Sequence, residues 1–214
     1  MDMIRMRSVD FAYENRPPVF QNLDFSLPEG QRIGIKGPNG AGKSTLFLLA
    51  MGLLTPTKGQ IEVFGQPRST EKDFRPIRTR IGYCFQDPDD QLFSATVKED
   101  VAFGPLNQGK PKHEVLDLVK ETLARLGLEG FQDRVTYHLS GGERRLVSLA
   151  TVLAMQPEAL LLDEPTTGLD PDTEKRLEAV LMSSQLSWAI ISHDQDFLER
   201  TCGSVLNLEN GRLS

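Results

Sequence analysis

Long apolar runs are missing from this sequence. The longest, Leu46 to Leu54, falls far short of the roughly 18 residues a membrane-spanning helix needs. No segment is therefore expected to cross a membrane. Cysteine is scarce, with two in 214 residues, too few for a disulfide framework. Cys84 and Cys202 both sit in apolar, strand-like runs and are expected as reduced core residues in a reducing compartment. The opening "MDMIRMRSVD" lacks an apolar h-region, so no signal peptide is expected. Basic excess is absent too. The formal net charge of −6 argues against a nucleic-acid or anionic-membrane footprint. No His/Cys cluster has transition-metal spacing. Repeats, low-complexity tracts and linkers are also lacking, so one globular domain is expected.

What is present is an alternation of strand and helix signals. Ile4 and Met6, then Leu23, Phe25 and Leu27, alternate with polar residues as in half-buried strands. "RPP" and "PEG" mark turns. "RIGIKG" reads as a short strand entering a glycine loop, and "STLFLLAMGLL" as the helix that follows. "QIEVFG" and "RIGYCFQ" are further strands. From Asp87 to Gln156 the period becomes helical. On the middle helix, His113, Val115, Leu116, Val119, Leu123 and Leu126 are expected to mark one face. "ALLLDE" and "WAIISH" are continuous apolar runs, as in buried parallel strands. The stretch "PDTEKRLEAVLMSSQ" is the crossover helix between them, and Asn210-Gly211 is a hairpin turn.

The predicted fold is α/β: a P-loop core with a RecA-like parallel sheet, an N-terminal antiparallel β-subdomain and a helical insertion. Residues 1–86 and 157–214 are expected to form the core and β-subdomain, and 87–156 the mainly helical part.

"GPNGAGKS" matches the P-loop pattern, and it lies between a strand and a helix as that pattern requires. Its glycines let backbone N–H groups close around phosphate oxygens at a helix N-terminus. Lys43 adds a full charge toward the β- and γ-phosphates, and the Ser44 hydroxyl can ligate Mg²⁺. Asp163 ends the apolar strand "ALLLD", where α/β sheets place ligand-facing groups, and is a second candidate Mg²⁺ ligand. Glu164 can polarise an attacking water as general base. Ser140, Gly141, Gly142 and Glu143 form a capping-box pattern with exposed N–H groups, a second anion-binding helix start.

With "LSGGE" in place, the chain resembles an ATP-binding cassette (ABC) ATPase over almost its whole length. The family order of motifs is present: P-loop, Gln86, Leu139–Glu143, Leu160–Glu164, "GLD" at Gly168–Asp170, and His193. The resemblance implies ATP held by Gly37, Pro38, Asn39, Gly40, Ala41, Gly42, Lys43, Ser44 and Thr45, with Tyr13 stacked on adenine. It implies Mg²⁺ at Ser44, Gln86 and Asp163. It implies hydrolysis supported by Glu164, His193, Lys43 and Gln86. It also implies a head-to-tail dimer, in which Ser140 to Glu143 of one copy close on the nucleotide of the other. Position 143 is Glu where Gln is more common, and it is expected to cap the helix.

The stretch "FQDPDDQLFSATVKEDVAFGPLN" resembles the energy-coupling factor (ECF) type, importers of vitamins and of cobalt or nickel. This implies membrane partners, an arginine-bearing transmembrane T component and a substrate-binding S component. The chain is then expected at the cytoplasmic face of the membrane. Asp87, Asp89 and Asp90 would suit the T component electrostatically, and Leu92 and Phe93 would be its apolar anchors. Many ECF ATPases continue past the hairpin into a dimerising segment. Here the sequence stops at Ser214, so ATP is expected to bring two subunits together, as a homodimer or a pseudo-symmetric heterodimer. Shorter chains favour cobalt or nickel as cargo. The alternatives are another importer cargo, such as a vitamin, or a soluble, non-transport ABC ATPase.

Overall fold

The computed structural model covers residues 1–214. In chain order it contains β1 (Asp2–Ala12), β2 (Pro18–Pro28), β3 (Arg32–Lys36), α1 (Lys43–Ala50), β4 (Lys58–Val63), β5 (Gln66–Arg68) and α2 (Glu71–Phe74). There follow β6 (Ile81–Cys84), α3 (Val97–Asn107), α4 (Lys112–Arg125), α5 (Gly141–Leu153), β7 (Ala159–Asp163) and α6 (Pro171–Met182). The chain closes with β8 (Ser187–Ile191), α7 (Gln195–Thr201), β9 (Ser204–Glu209) and β10 (Arg212–Leu213). Two sheets result. The antiparallel one runs β2-β1-β4-β5, and the larger one runs β10-β9-β3-β8-β7-β6.

In the larger sheet β9, β3, β8, β7 and β6 are mutually parallel. Every side chain of β6, β7 and β8 is buried, on both faces of the sheet, which is why β7 and β8 read as near-unbroken apolar runs. The pleat divides β7 between two cores. Leu161 packs with Phe20, Ile35, Leu46 and Phe47 under the antiparallel sheet and α1. Leu160 and Leu162 pack with Val147, Leu177, Trp188 and Phe197 on the helical side. Beyond its first turn helix α1 is apolar, and Leu46, Phe47 and Leu49 are fully buried in one core with residues of both sheets. The Asn-Gly turn forms as expected. Asn210 and Gly211 both take positive φ, 50° and 73°, the requirement of a tight hairpin between twisted strands.

Two expectations are corrected. Cys84 is buried in β6, but Cys202 follows the end of α7 and lies outside any strand. In α4 the buried row is Val115, Val119, Thr122 and Leu123, continued by Leu126 at the C-cap. Leu116 is 40% exposed, and His113 is exposed as well. At 100° per residue, the row set by Val115 excludes both positions. No helix is long and apolar enough to cross a membrane.

Candidate functional site

Four neighbouring parallel strands, β3, β8, β7 and β6, end on the same edge of the sheet. The carboxyl edge of such a sheet is where α/β proteins bind ligands. After β3 comes the glycine loop, after β8 His193, after β7 Glu164, and after β6 Gln86. All four segments line one cavity of about 500 Å³ with Tyr13 and Asp163.

The glycine loop leads into α1 with Gly42 as N-cap, at φ 98°. A Cβ there would stand 2.5 Å from Val19 Cγ1, so only glycine fits. No side chain caps this helix and no acid lies in its first turn. Its N–H groups are therefore left for a ligand, together with the positive end of the helix dipole. Lys43 is buried, and its Nζ donates to the carbonyls of Gly37 (2.8 Å) and Pro38 (3.0 Å). It has no carboxylate partner, so its full charge remains available to an anion.

Asp163 is 2% exposed, and its Oδ2 is buried without a hydrogen-bond partner. Burial raises its pKa, opposed by the Ser44 hydroxyl and the Lys43 charge. An orphaned carboxylate oxygen is costly unless something binds it. With the Ser44 hydroxyl and the Gln86 amide on the same cavity, the donor set is all oxygen, which fits a hard cation such as Mg²⁺.

Glu164 adopts the left-handed conformation, φ 50°, uncommon for a long side chain and a strained position. Its N–H donates to the Ile191 carbonyl (2.9 Å). Its carboxylate faces His193, with the His193 N–H donating to Oε2 (3.2 Å) and Nε2 at 3.2 Å from Oε1. That second approach lacks hydrogen-bond alignment, and Oε1 has no partner. Burial raises the Glu164 pKa, with the His193 and Lys43 charges opposing. Both features suit a group that takes up a proton. Tyr13 forms part of the far wall. Its hydroxyl lies 3.1 Å from Thr45 Oγ1, and its ring meets Phe11 edge-on at 4.9 Å. The same wall includes Arg16, Pro17, Pro18 and Val19. Sequence reasoning missed these four, although the "RPP" turn three residues beyond Tyr13 marks their place.

Ser140, Gly141, Gly142 and Glu143 do not join this cavity. They line a separate depression with Gly168 and Asp170. Ser140 Oγ accepts from the Glu143 N–H (3.2 Å), while Glu143 Oε2 accepts from the Ser140 N–H (2.8 Å). The capping role expected of Glu143 is thus formed. The Ser140 backbone N–H and hydroxyl and nearby Arg134 hold the Glu143 pKa below its usual range.

The stretch after β6 divides. Asp87 caps its own turn by accepting from the Asp89 N–H (2.9 Å), and Asp89 pairs with Arg144 of α5 (3.0 Å). Asp90 borders a mostly apolar groove of about 330 Å³, lined also by Leu53, Phe93, Phe103 and Met155. Leu92 packs partly into the helical-side core. Phe93 is 67% exposed and meets Phe103 edge-on at 4.8 Å. Two residues that anchor this stretch escaped the sequence reading, Gln91 and Arg145. Gln91 Oε1 accepts from the Phe85 N–H (3.1 Å), and its Nε2 donates to Ser148 O (2.8 Å) and Thr151 Oγ1 (2.7 Å).

A glycine loop on an uncapped helix, beside two strand-end acids, defines a P-loop nucleoside triphosphatase. The comparisons narrow the class. The ABC transporter family profile matches residues 20–167. The chain is 42% identical to the energy-coupling factor transporter ATP-binding protein EcfA of Methanothermobacter thermautotrophicus, over 99% of this chain and 69% of that one. It is 47% identical to a putative ABC transporter ATP-binding protein of Nitratidesulfovibrio vulgaris, over 98% of this chain and 77% of that one. In structure it resembles cbiO1 of Clostridium perfringens, described as part of the ABC transporter complex cbiONQ. That match has TM-score 0.88 and 35% identity, covering 100% of this chain and 87% of the other. It also resembles a bacterial ABC transporter cassette solved as a dimer, with TM-score 0.92 and 25% identity over 99% and 97%. The chain belongs to the ABC transporter family: it is an ABC ATPase, an ATP-binding subunit of a transporter.

Proposed function

We propose that this chain is the ATP-hydrolysing subunit of an ECF-type importer whose cargo is cobalt or nickel ion. The observation that carries the catalytic reading is the single cavity uniting the P-loop, Asp163, Glu164, His193 and Gln86. The ECF assignment is supported by the name of the Methanothermobacter relative, and assembly into a transporter complex by the likeness to cbiO1, part of the complex cbiONQ; the cargo follows the resemblance of the stretch after Gln86.

In this reading Tyr13 borders the adenine, and residues 37–45 cradle the phosphates. Lys43 leaves its loop carbonyls for the β- and γ-phosphate oxygens, where its charge opposes the negative charge that develops on transfer. Ser44, Gln86 and Asp163 would hold Mg²⁺, which when bound supplies positive charge against the phosphates. Glu164, poised by its raised pKa, takes the proton of the attacking water. His193 fixes the Glu164 carboxylate and faces the γ-phosphate.

The depression at Ser140 to Glu143 is then the surface that closes on a second subunit's nucleotide, a like copy or a related ATPase. Residues 87–156 form the helical unit that shifts against the core. The groove beside Phe93 receives the transmembrane T component at the cytoplasmic face of the membrane, and the S component captures the ion.

Two experiments test this. Glu164→Gln should bind ATP with near-wild-type affinity, hydrolyse it about 10²–10³-fold more slowly, and accumulate dimer in light scattering. A monomer at saturating nucleotide would sink the shared-site arrangement. Co-purification from the native membrane should recover a T and an S component and the bound ion. Recovery of a vitamin-binding S component would replace the cargo, and recovery of no membrane protein would favour a non-transport ABC ATPase.

A further inference from the structure

Arg145 lies on α5, two residues beyond the capping box, and is 7% exposed. Its guanidinium meets no carboxylate. One amino group donates to the backbone carbonyls of Phe85 (3.3 Å) and, in a very short contact, Gln86, and its Nε is buried without a partner. A buried cation is normally paired with an anion. Here it is held by charge-assisted bonds to the segment that carries Gln86 into the nucleotide cavity. Two further ties bind the same segment to α5: Arg144 to Asp89, and Gln91 to Ser148 and Thr151. Residues 85–91 thus hang from α5 at three points.

We propose that Arg145 is the positioning residue for Gln86. It locks the Gln86 backbone to the helix that begins at Ser140, so that Gln86 enters and leaves the γ-phosphate region only as α5 moves. This rests on the reading of Gln86 as a catalytic and Mg²⁺-contacting group. Without Arg145, the segment keeps its outer ties at Asp89 and Gln91 but loses the one at Gln86 itself.

A double-mutant cycle on the full chain tests it, reading ATP hydrolysis, ATP affinity and thermal stability for Gln86→Ala, Arg145→Met and both together. Each single change should lower kcat about 10–100-fold, the range of a mispositioned polar group. ATP Kd should stay within about threefold, because residues 37–45 still hold the phosphates and the loss falls mainly on the transition state. The double variant should be no slower than the slower single, and Arg145→Lys should recover much of the rate. Multiplying losses would overturn the proposal, as would an Arg145→Met chain that loses stability or affinity with unchanged kcat. Wild-type hydrolysis by Gln86→Ala would instead overturn the Gln86 assignment, and the proposal with it.

Discussion

The chain has two glycine-rich helix starts aimed at anions, and they are built in opposite ways. At α1 nothing caps the helix: Gly42 contributes no side chain, no acid lies in the first turn, and Lys43 adds positive charge. At α5 the protein caps itself, Ser140 and Glu143 satisfying each other's N–H groups. An uncapped start surrounded by a cavity can hold a polyanion alone. A self-capped start offers less, namely the remaining N–H groups of its glycines and the Ser140 hydroxyl. It also carries the negative charge of Glu143. In the proposed function, phosphate specificity therefore resides at α1, and α5 adds a second surface that gains full value only when a nucleotide is presented by another subunit.

The sharpest way to break this comparison is to fill the open end. Gly42→Ala places a Cβ against Val19 in a left-handed backbone. Fluorescent ATP-analogue binding should fall about 100-fold or more, the scale of two lost charge-assisted hydrogen bonds. Unchanged affinity would show that α1 is not the phosphate anchor. A smaller effect tests the acid beside that end. Burial raises the Asp163 pKa in the folded chain, so the ionised group weakens the nucleotide-free fold at neutral pH. Asp163→Asn should raise the melting temperature without nucleotide by about 2–4 °C. The gap should be widest near pH 7 and close as pH falls below about 4, where wild-type Asp163 is protonated in both states. Mg²⁺-dependent stabilisation by ATP should be lost in the same variant. The smallest change opens the other end. Ser140→Ala removes the cap of α5 at about 1 kcal/mol of stability, read by denaturant melting. ATP binding to the single chain should stay at wild-type strength. A large loss of affinity in the monomer would erase the distinction between the two helix starts.

Much of the site was legible because its parts are local. The P-loop is a strand, a turn and a helix start within a few residues, and the capping box is set by three-residue spacing. Asp163 and Glu164 close an apolar run. Leu92 and Phe93 show the limit of such reading. Adjacent and both apolar, they read as one docking pair, yet Leu92 packs partly into the helical core while Phe93 is exposed against Phe103. Pattern cannot separate neighbours whose environments are set by a helix ten residues away.

The sequence by itself determined most of the core strands and helices, where the two glycine-rich helix starts fall, and which acids end a buried strand. These depend on hydrogen bonding and side-chain period over short spans. Tertiary structure decided what meets what. The order β3-β8-β7-β6 places the P-loop, His193, Glu164 and Gln86 along one sheet edge. The same packing leaves Ser140 to Glu143 in a depression of their own and fastens the Gln86 backbone to α5 through Arg145. Strand order and helix docking are chosen by burying both faces of the sheet at once, a property of the whole chain that no short stretch carries.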